Sequence, residues 1–561
     1  MILDILNEKI KEILGNDSIH VIRSNRKELC DYQSDDCFKL AKTLHKSPIE
    51  IGEDLVNKIN NSNDFDDYFD KVEFVKPGFI NITVSSKLIN KVLKNMFNEE
   101  KFGLKEPDQV KTFVLDYGGP NVAKPLHVGH MRTAIVGESI KRIIKYMGHK
   151  TIADVHLGDY GLQIGQVIYG ILKDNKNIDD ITLDYLEETY PKISALCKDD
   201  ESVKEECAKI TKDLQDGNLE YQKLWKVILE ISGNDIKRLY NYLDVSFDLW
   251  QGESDSYKYI AKTEEYLNSK NLLKESEGAK IVDVKKEDDQ LEMPPFLFQK
   301  SNGAYLYGTT DLATIYERME KYQPDNILYV VDNRQSLHFE QVFRVCEKAG
   351  LTPNTKLEFL GYGTVNGMDG KPYKTRSGDA PKLDSLFNEV KEIFLSKREE
   401  NKEMSDVDLD IIVNAILKFA DLQNSRERDY IFDLNKFSNV VGKTGPYILY
   451  TYLRINKILE SENVALDLSD EIYNETDRNL RLYLTEFSLS LKSAFNEYKP
   501  SYVVDYIYNL AVLANNFYQN NYVLNEENAL KKRDWLFVLT LTNKVLKELL
   551  ELIMIKIPTF M

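Results

Sequence analysis

Cysteine is scarce in this chain of 561 residues. The five present, Cys30, Cys37, Cys197, Cys207 and Cys346, are scattered, odd in number and without a C-x-x-C pair. That pattern argues against a disulfide framework or a structural zinc site and for reduced, mostly buried thiols. Long apolar runs are also missing, so no segment reads as a membrane span. The start, Met1-Ile2-Leu3-Asp4, lacks the basic stretch and apolar core of a signal peptide, which makes the cytoplasm the expected location. There is no internal repeat and no low-complexity tract. Positive charge is in deficit: 73 Lys and Arg against 91 Asp and Glu leave a formal net charge of −18. A non-specific nucleic-acid binder is disfavoured by that balance, but a local basic face is not excluded. Histidine numbers only seven, yet His127, His130, His149, His156 and His338 fall in the middle of the chain and none follows His338.

What is present begins with length. A chain of this size exceeds one compact core, and roughly two to four domains are expected. The most informative stretch runs from Asp116 to His130, D-Y-G-G-P-N-V-A-K-P-L-H-V-G-H. It leaves an apolar segment, Phe113-Val114-Leu115, that reads as a buried parallel strand. It turns through Gly-Gly-Pro and enters a helical pattern from about Val128 to Met147, closed by Gly148. His127 and His130 therefore share one face of the first turn. Free backbone N–H groups and the positive end of the helix lie beside them, which is an anion site. Gly129 between them leaves the backbone bare for close approach by a nucleotide.

Residues 1–105 read as a small α/β module. Four strand-like segments follow at Thr112–Tyr117, Thr151–Leu157, Asn326–Val331 and Leu357–Tyr362, alternating with helical patterns. The alternation predicts a doubly wound parallel sheet in a domain spanning 106–405, with ligands beyond the carboxyl ends of its strands. A charged, largely helical insertion occupies about 170–300. Residues 406–561 read as nearly all helix.

With these features together, the chain resembles a class I aminoacyl-tRNA synthetase, and specifically the arginyl-tRNA synthetase family. The resemblance rests on Asp116–His130, on G-D-Y-G-L-Q-I-G at 158–165, and on Y-L-Y-G-T-T-D-L-A at 305–313. It continues through Y-V-V-D-N-R-Q-S-L-H at 329–338, Y-K-T-R-S-G at 373–378, Asp421–Tyr430, G-K-T-G-P-Y at 442–447 and the ending I-P-T-F-M. It implies a Rossmann-like catalytic domain and an all-helical anticodon-binding domain. The implied reaction is ATP-dependent activation of L-arginine to arginyl-adenylate, then transfer to the 3′ end of tRNA(Arg). A monomer is expected, with Mg²⁺ carried mainly by the triphosphate. Two other possibilities stay open: a specialised or non-catalytic paralogue, and another class I synthetase.

The resemblance also assigns residues. Asp116 and Asn121 match positions that hold the amino acid's ammonium and carboxylate; Tyr307, Asp311 and Gln335 match the guanidinium pocket. A planar cation with five donors needs such acceptors, although Asp311 also reads as a helix N-cap. His127 and His130 match the residues that stabilise the transferred phosphate, and Gly129, His156, Gly158, Asp159, Gly161 and His338 match the nucleotide site. The family's mobile lysine-rich loop corresponds to 373–377, where Thr375 replaces the usual second lysine. Lys124 is expected to take over, helped by Lys374 and Arg376. Gly118-Gly119 stands where many members carry two serines, which predicts altered ATP affinity without loss of chemistry.

Overall fold

The computed structural model describes residues 1–290, 292–373, 382–398, 404–462 and 466–561. At its centre is a parallel sheet in the order Lys356–Phe359, Asn326–Val330, Thr112–Tyr117, Lys150–Asp154. The chain steps outward from Thr112–Tyr117 to Lys150–Asp154, then crosses to the other side of the first strand. That reversal leaves a crevice at the carboxyl end of Thr112–Tyr117, where an open sheet of this kind receives its ligand. The four strands fall where the apolar segments predicted them. The second is shorter than expected, because His156 sits in the left-handed region at φ 43° and turns the chain. Beyond it, Val155 and Leu157 donate to the carbonyls of Leu249 and Gln251. This pairing brings the start of the helix Glu253–Ser269 to the rim of the crevice.

The helix that carries His127 and His130, Val128–Tyr146, is buried on almost every side, including at Arg132, Glu138 and Ser139. Its apolar stripe rests on the sheet, and the C-terminal helices cover its polar face. Ser139 Oγ donates to the Leu552 carbonyl at 3.0 Å and Arg142 Nη1 to that of Glu551 at 2.8 Å. A helix enclosed in this way is a rigid platform for whatever its first turn carries.

The insertion is largely helical, as expected, but also contains a small sheet. Helices Leu183–Asp199, Glu201–Gln215 and Leu219–Tyr242 are present, but strands Leu273–Ser276, Ala279–Val282 and Phe296–Gln299 then form an antiparallel sheet. The first two close through Glu277 and Gly278, both at positive φ, a tight hairpin turn that helical periodicity does not reveal. The N-terminal residues form a four-stranded antiparallel sheet backed by helices, anchored to the C-terminal helices by the two-pronged pair of Arg478 with Asp31 at 2.9 and 2.6 Å. From Asp406 onward the described chain is helical apart from the short strand Tyr430–Ile431. The five cysteines are unpaired and buried. Among the described residues, no helix is long and apolar enough to cross a membrane.

Candidate active site

His127 is the N-cap of its helix. Its Nδ1 accepts from the Gly129 N–H at 3.1 Å, and His130 Nδ1 accepts from the His127 N–H at 3.1 Å. Backbone donors thus occupy Nδ1 of both rings, so in the neutral tautomer the proton sits on Nε2. Ring centroids 3.9 Å apart stack the pair. Burial, the His127 ring and Lys124 push the His130 imidazole down to about 3; burial, Lys124 and Arg334 lower that of His127. These are two neutral, oriented N–H donors rather than proton carriers.

Lys124 lies close enough to depress both histidines, and its ammonium rests 4.5 Å from the ring centre of Tyr190 in the insertion. Lys374 and Arg376 lie outside the described residues. The chain on either side of them is anchored. Tyr373 N–H donates to the Val365 carbonyl at 2.9 Å, and Leu383 N–H donates to the Leu126 carbonyl at 3.0 Å, directly beside the histidine motif.

Asp116, at the end of the first strand, meets a residue that sequence reasoning missed. Arg318 Nη2 donates to Asp116 Oδ2 at 2.7 Å and to Asp154 Oδ2 at 2.8 Å, with the Arg318 side chain buried. His156 lies against the same group, its Nδ1 3.8 Å from Asp154 Oδ2. Burial alone would depress this imidazole, but Asp154 and Asp116 outweigh it and raise it to about 9. Burial pushes the Asp116 carboxyl up, whereas His156 and Arg318 together hold Asp154 down against its own burial. Donor atoms of Asp116, Asp154 and His156 lie within 4.8 Å of one another. The Arg318 guanidinium already bridges the two carboxylates, so the group does not suit a divalent cation.

Asp311 is not a cap: Leu306 caps the helix Tyr307–Tyr322 and Asp311 lies in its second turn. Its Oδ2 accepts from His338 Nε2 at 2.5 Å, and the His338 ring packs 4.6 Å from that of Tyr307, which is 62% exposed. Gln335 is exposed on the short helical turn just before the helix that carries His338. Glu253 is a second omission. Burial first, then Asp311 and Asp159, push its carboxyl up to about 7, against the opposing pull of His156. A buried carboxyl pushed up in this way beside a second acid is suited to an incoming cation.

Asn121 and Gly158 pair the two loops: the Gly158 N–H donates to the Pro120 carbonyl and the Val122 N–H to that of Gly158, each at 3.0 Å. The Asp159 carboxylate is engaged with the start of the Glu253–Ser269 helix, accepting from Ser254 N at 3.0 Å and Ser254 Oγ at 2.6 Å. Gly161 caps the following helix, Leu162–Lys173. At Gly119 a Cβ would fall 2.4 and 2.5 Å from the His156 and Val155 carbonyl oxygens, and Gly118 has φ +72°. Gly119 is thus demanded by close backbone approach and Gly118 by its left-handed conformation.

Family models match along the chain in order: "Arginyl tRNA synthetase N terminal domain" at 1–84, "tRNA synthetases class I (R), catalytic domain" at 91–434 and "DALR anticodon binding domain" at 448–561. The arginine–tRNA ligase of Alkaliphilus oremlandii is 42% identical over 558 residues, covering 95% of this chain and 94% of its own. The chain belongs to the arginyl-tRNA synthetase family. Arginyl-tRNA synthetases of Plasmodium falciparum and Thermus thermophilus share the fold, each with a TM-score of 0.81, at 24% and 21% identity. They cover all of this chain, and 98% and 100% of theirs are matched.

One further residue was not foreseen from the sequence. Arg132, buried in the histidine helix, donates to the carbonyls of Gly363, Thr364, Arg426 and Arg428 at 2.6 to 3.2 Å. Its guanidinium lies 5.0 Å from the Tyr430 ring centre, and Tyr430 OH donates to Asp421 at 3.0 Å. This node ties the helix of the histidine motif to the start of the C-terminal helices. Its sequence signal was a lone arginine two residues after His130.

Proposed function

We propose that the chain ligates arginine to tRNA(Arg) in two ATP-dependent steps, with the crevice divided between two ends. At the nucleotide end, the Nε2–H groups of His127 and His130 point to the α-phosphate and stabilise the charge that builds as the arginine carboxylate attacks. Gly129, Gly158, Asp159 and Gly161 shape the nucleotide cradle, Asp159 by fixing its loop to Ser254. Lys124, Lys374 and Arg376 supply cations to the triphosphate, which brings its own Mg²⁺. At the amino-acid end, Asp116 and Asn121 take the ammonium and carboxylate, while Asp311 and Glu253 take the guanidinium beside Tyr307 and Gln335. His156 and His338 belong with these carboxylates. The protein is read as a cytoplasmic monomer.

The observation that supports this reading most is Asp311, bonded to His338 beside the exposed Tyr307 ring, with a second acid, Glu253, whose carboxyl is pushed up in part by Asp311. An uncharged side chain would have no use for them. Purified protein given ATP, arginine and total tRNA should form arginyl-tRNA, and single tRNA(Arg) transcripts should each be charged. Failure with every tRNA would mark a non-catalytic paralogue; charging of a subset would mark a specialised duplicate.

A further inference from the structure

The helix Tyr307–Tyr322 carries Asp311 in its second turn and Arg318 two turns later. Seven residues along a helix are about 10 Å and return to nearly the same face. One rigid element therefore serves both ends of the amino-acid site: Asp311 at the mouth, and Arg318 beneath Asp116. The Arg318 guanidinium is 1% exposed, so it touches no solvent-borne substrate. It lies 5.6 Å from the Tyr329 ring centre, with Nη1 donating to Tyr329 OH at 3.2 Å and Nη2 shared between Asp116 and Asp154.

This geometry has two consequences for Asp116. Only its Oδ2 bonds Arg318, so the carboxylate is held at one oxygen while Oδ1 is left to an incoming donor. Without the cation, Asp116 and Asp154 would face each other as like charges, and one of them would hold a proton.

We propose that Arg318 is a positioning residue for arginine activation: it keeps Asp116 ionised and aimed so that its second oxygen receives the α-ammonium of the substrate. The inference rests on the assignment of Asp116 to the ammonium. Asp154 is the second anchor that fixes the guanidinium, and the bridge it completes sets the distance between the ammonium receptor and Asp311.

The test compares arginine with 5-guanidinopentanoate, which keeps the carboxylate and guanidinium but has no α-amine. In the aminoacylation assay, the KM for arginine and the inhibition constant of the analogue are measured for wild type and variants. Arg318→Met should weaken arginine relative to the analogue by roughly tenfold or more, with KM for ATP nearly unchanged. Adding Asp154→Asn removes the like charge beside Asp116, and the double variant should recover a substantial part of that ratio. A merely structural role predicts that arginine, analogue and ATP weaken together and that the double variant is no better; either result overturns the proposal. If Arg318→Met does not fold, Arg318→Lys, which keeps the charge but offers no planar fork, is read on the same ratio. A fall supports the proposal and an unchanged ratio refutes it. Asp116→Asn separates the two layers: if it leaves the ratio at the wild-type value, the assignment of the ammonium site fails, independently of Arg318.

Discussion

The two ends of the crevice handle charge in opposite ways. At the nucleotide end the tools are neutral: two stacked imidazoles with their Nδ1 atoms bonded to backbone N–H groups and proton affinities lowered by burial. At the amino-acid end, acids are interlocked with other side chains: the buried Asp116 and Asp154 with Arg318 and His156, and the half-buried Asp311 with His338. The difference fits the ligands proposed for the two ends. A triphosphate brings its own charge and counter-ions, so the protein need only supply oriented donors. A guanidinium and an ammonium must be matched by fixed anions, which stay fixed and ionised only when other charges hold them.

The largest break in this comparison should come from Asp311→Asn. Loss of one anion from the guanidinium pocket should lower kcat/KM for arginine by about three orders of magnitude, with KM for ATP little changed. Steady-state charging kinetics at varied arginine would show it, and wild-type-like charging would remove the pocket assignment. His130→Ala should show the complementary pattern. Losing one donor to a developing negative charge should reduce kcat about a hundredfold with KM for arginine nearly constant.

The acid–base behaviour of the two ends should also diverge. Glu253, pushed up to about 7, is largely protonated on the acid side of that value and ionised above it. A guanidinium needs the ionised form, so KM for arginine should fall as pH rises from about 6 to 8, by at most about tenfold per unit. Glu253→Gln should flatten that profile. The histidines, with lowered proton affinity, remain neutral across the same window, so KM for ATP should not follow the curve. The smallest effect concerns the backbone that joins the ends. Gly119→Ala forces a methyl against two carbonyl oxygens, and a loss of about 1–3 kcal/mol in stability is expected, visible as a lowered melting temperature.

Much of this architecture was legible in the sequence. Apolar segments with turn residues behind them marked the four parallel strands, and the helix after His127 ended where Gly148 said it would. Local periodicity reports the face turned to the sheet, however, and not what covers the other face. The C-terminal helices bury the polar side of Val128–Tyr146, including Arg132 and Glu138, which the helical pattern does not single out. The hairpin at 273–282 was missed because its strands are only four residues long and interrupted by Lys274, Glu275 and Lys280. In the site, His127, His130, Asp116 and Asp311 stood at strand ends and helix starts, where motifs carry meaning. Arg318 did not, and Asp154 and Glu253, although they close a strand and open a helix, fall in none of the motifs. Arg318 is a charged residue midway along a helix, and Glu253 follows a glycine in the insertion. Their partners lie 202, 164 and more than fifty positions away, a pairing that only the fold discloses.

If the anions at the amino-acid end are built for a cationic side chain, citrulline should be rejected. It matches arginine in shape but replaces the guanidinium with a neutral urea. With purified protein, ATP and tRNA(Arg), charging with citrulline should fall below that with arginine by at least about a thousandfold in kcat/KM. A ratio within tenfold would contradict the account, because the acids at Asp311 and Glu253 would then contribute nothing to the choice of amino acid.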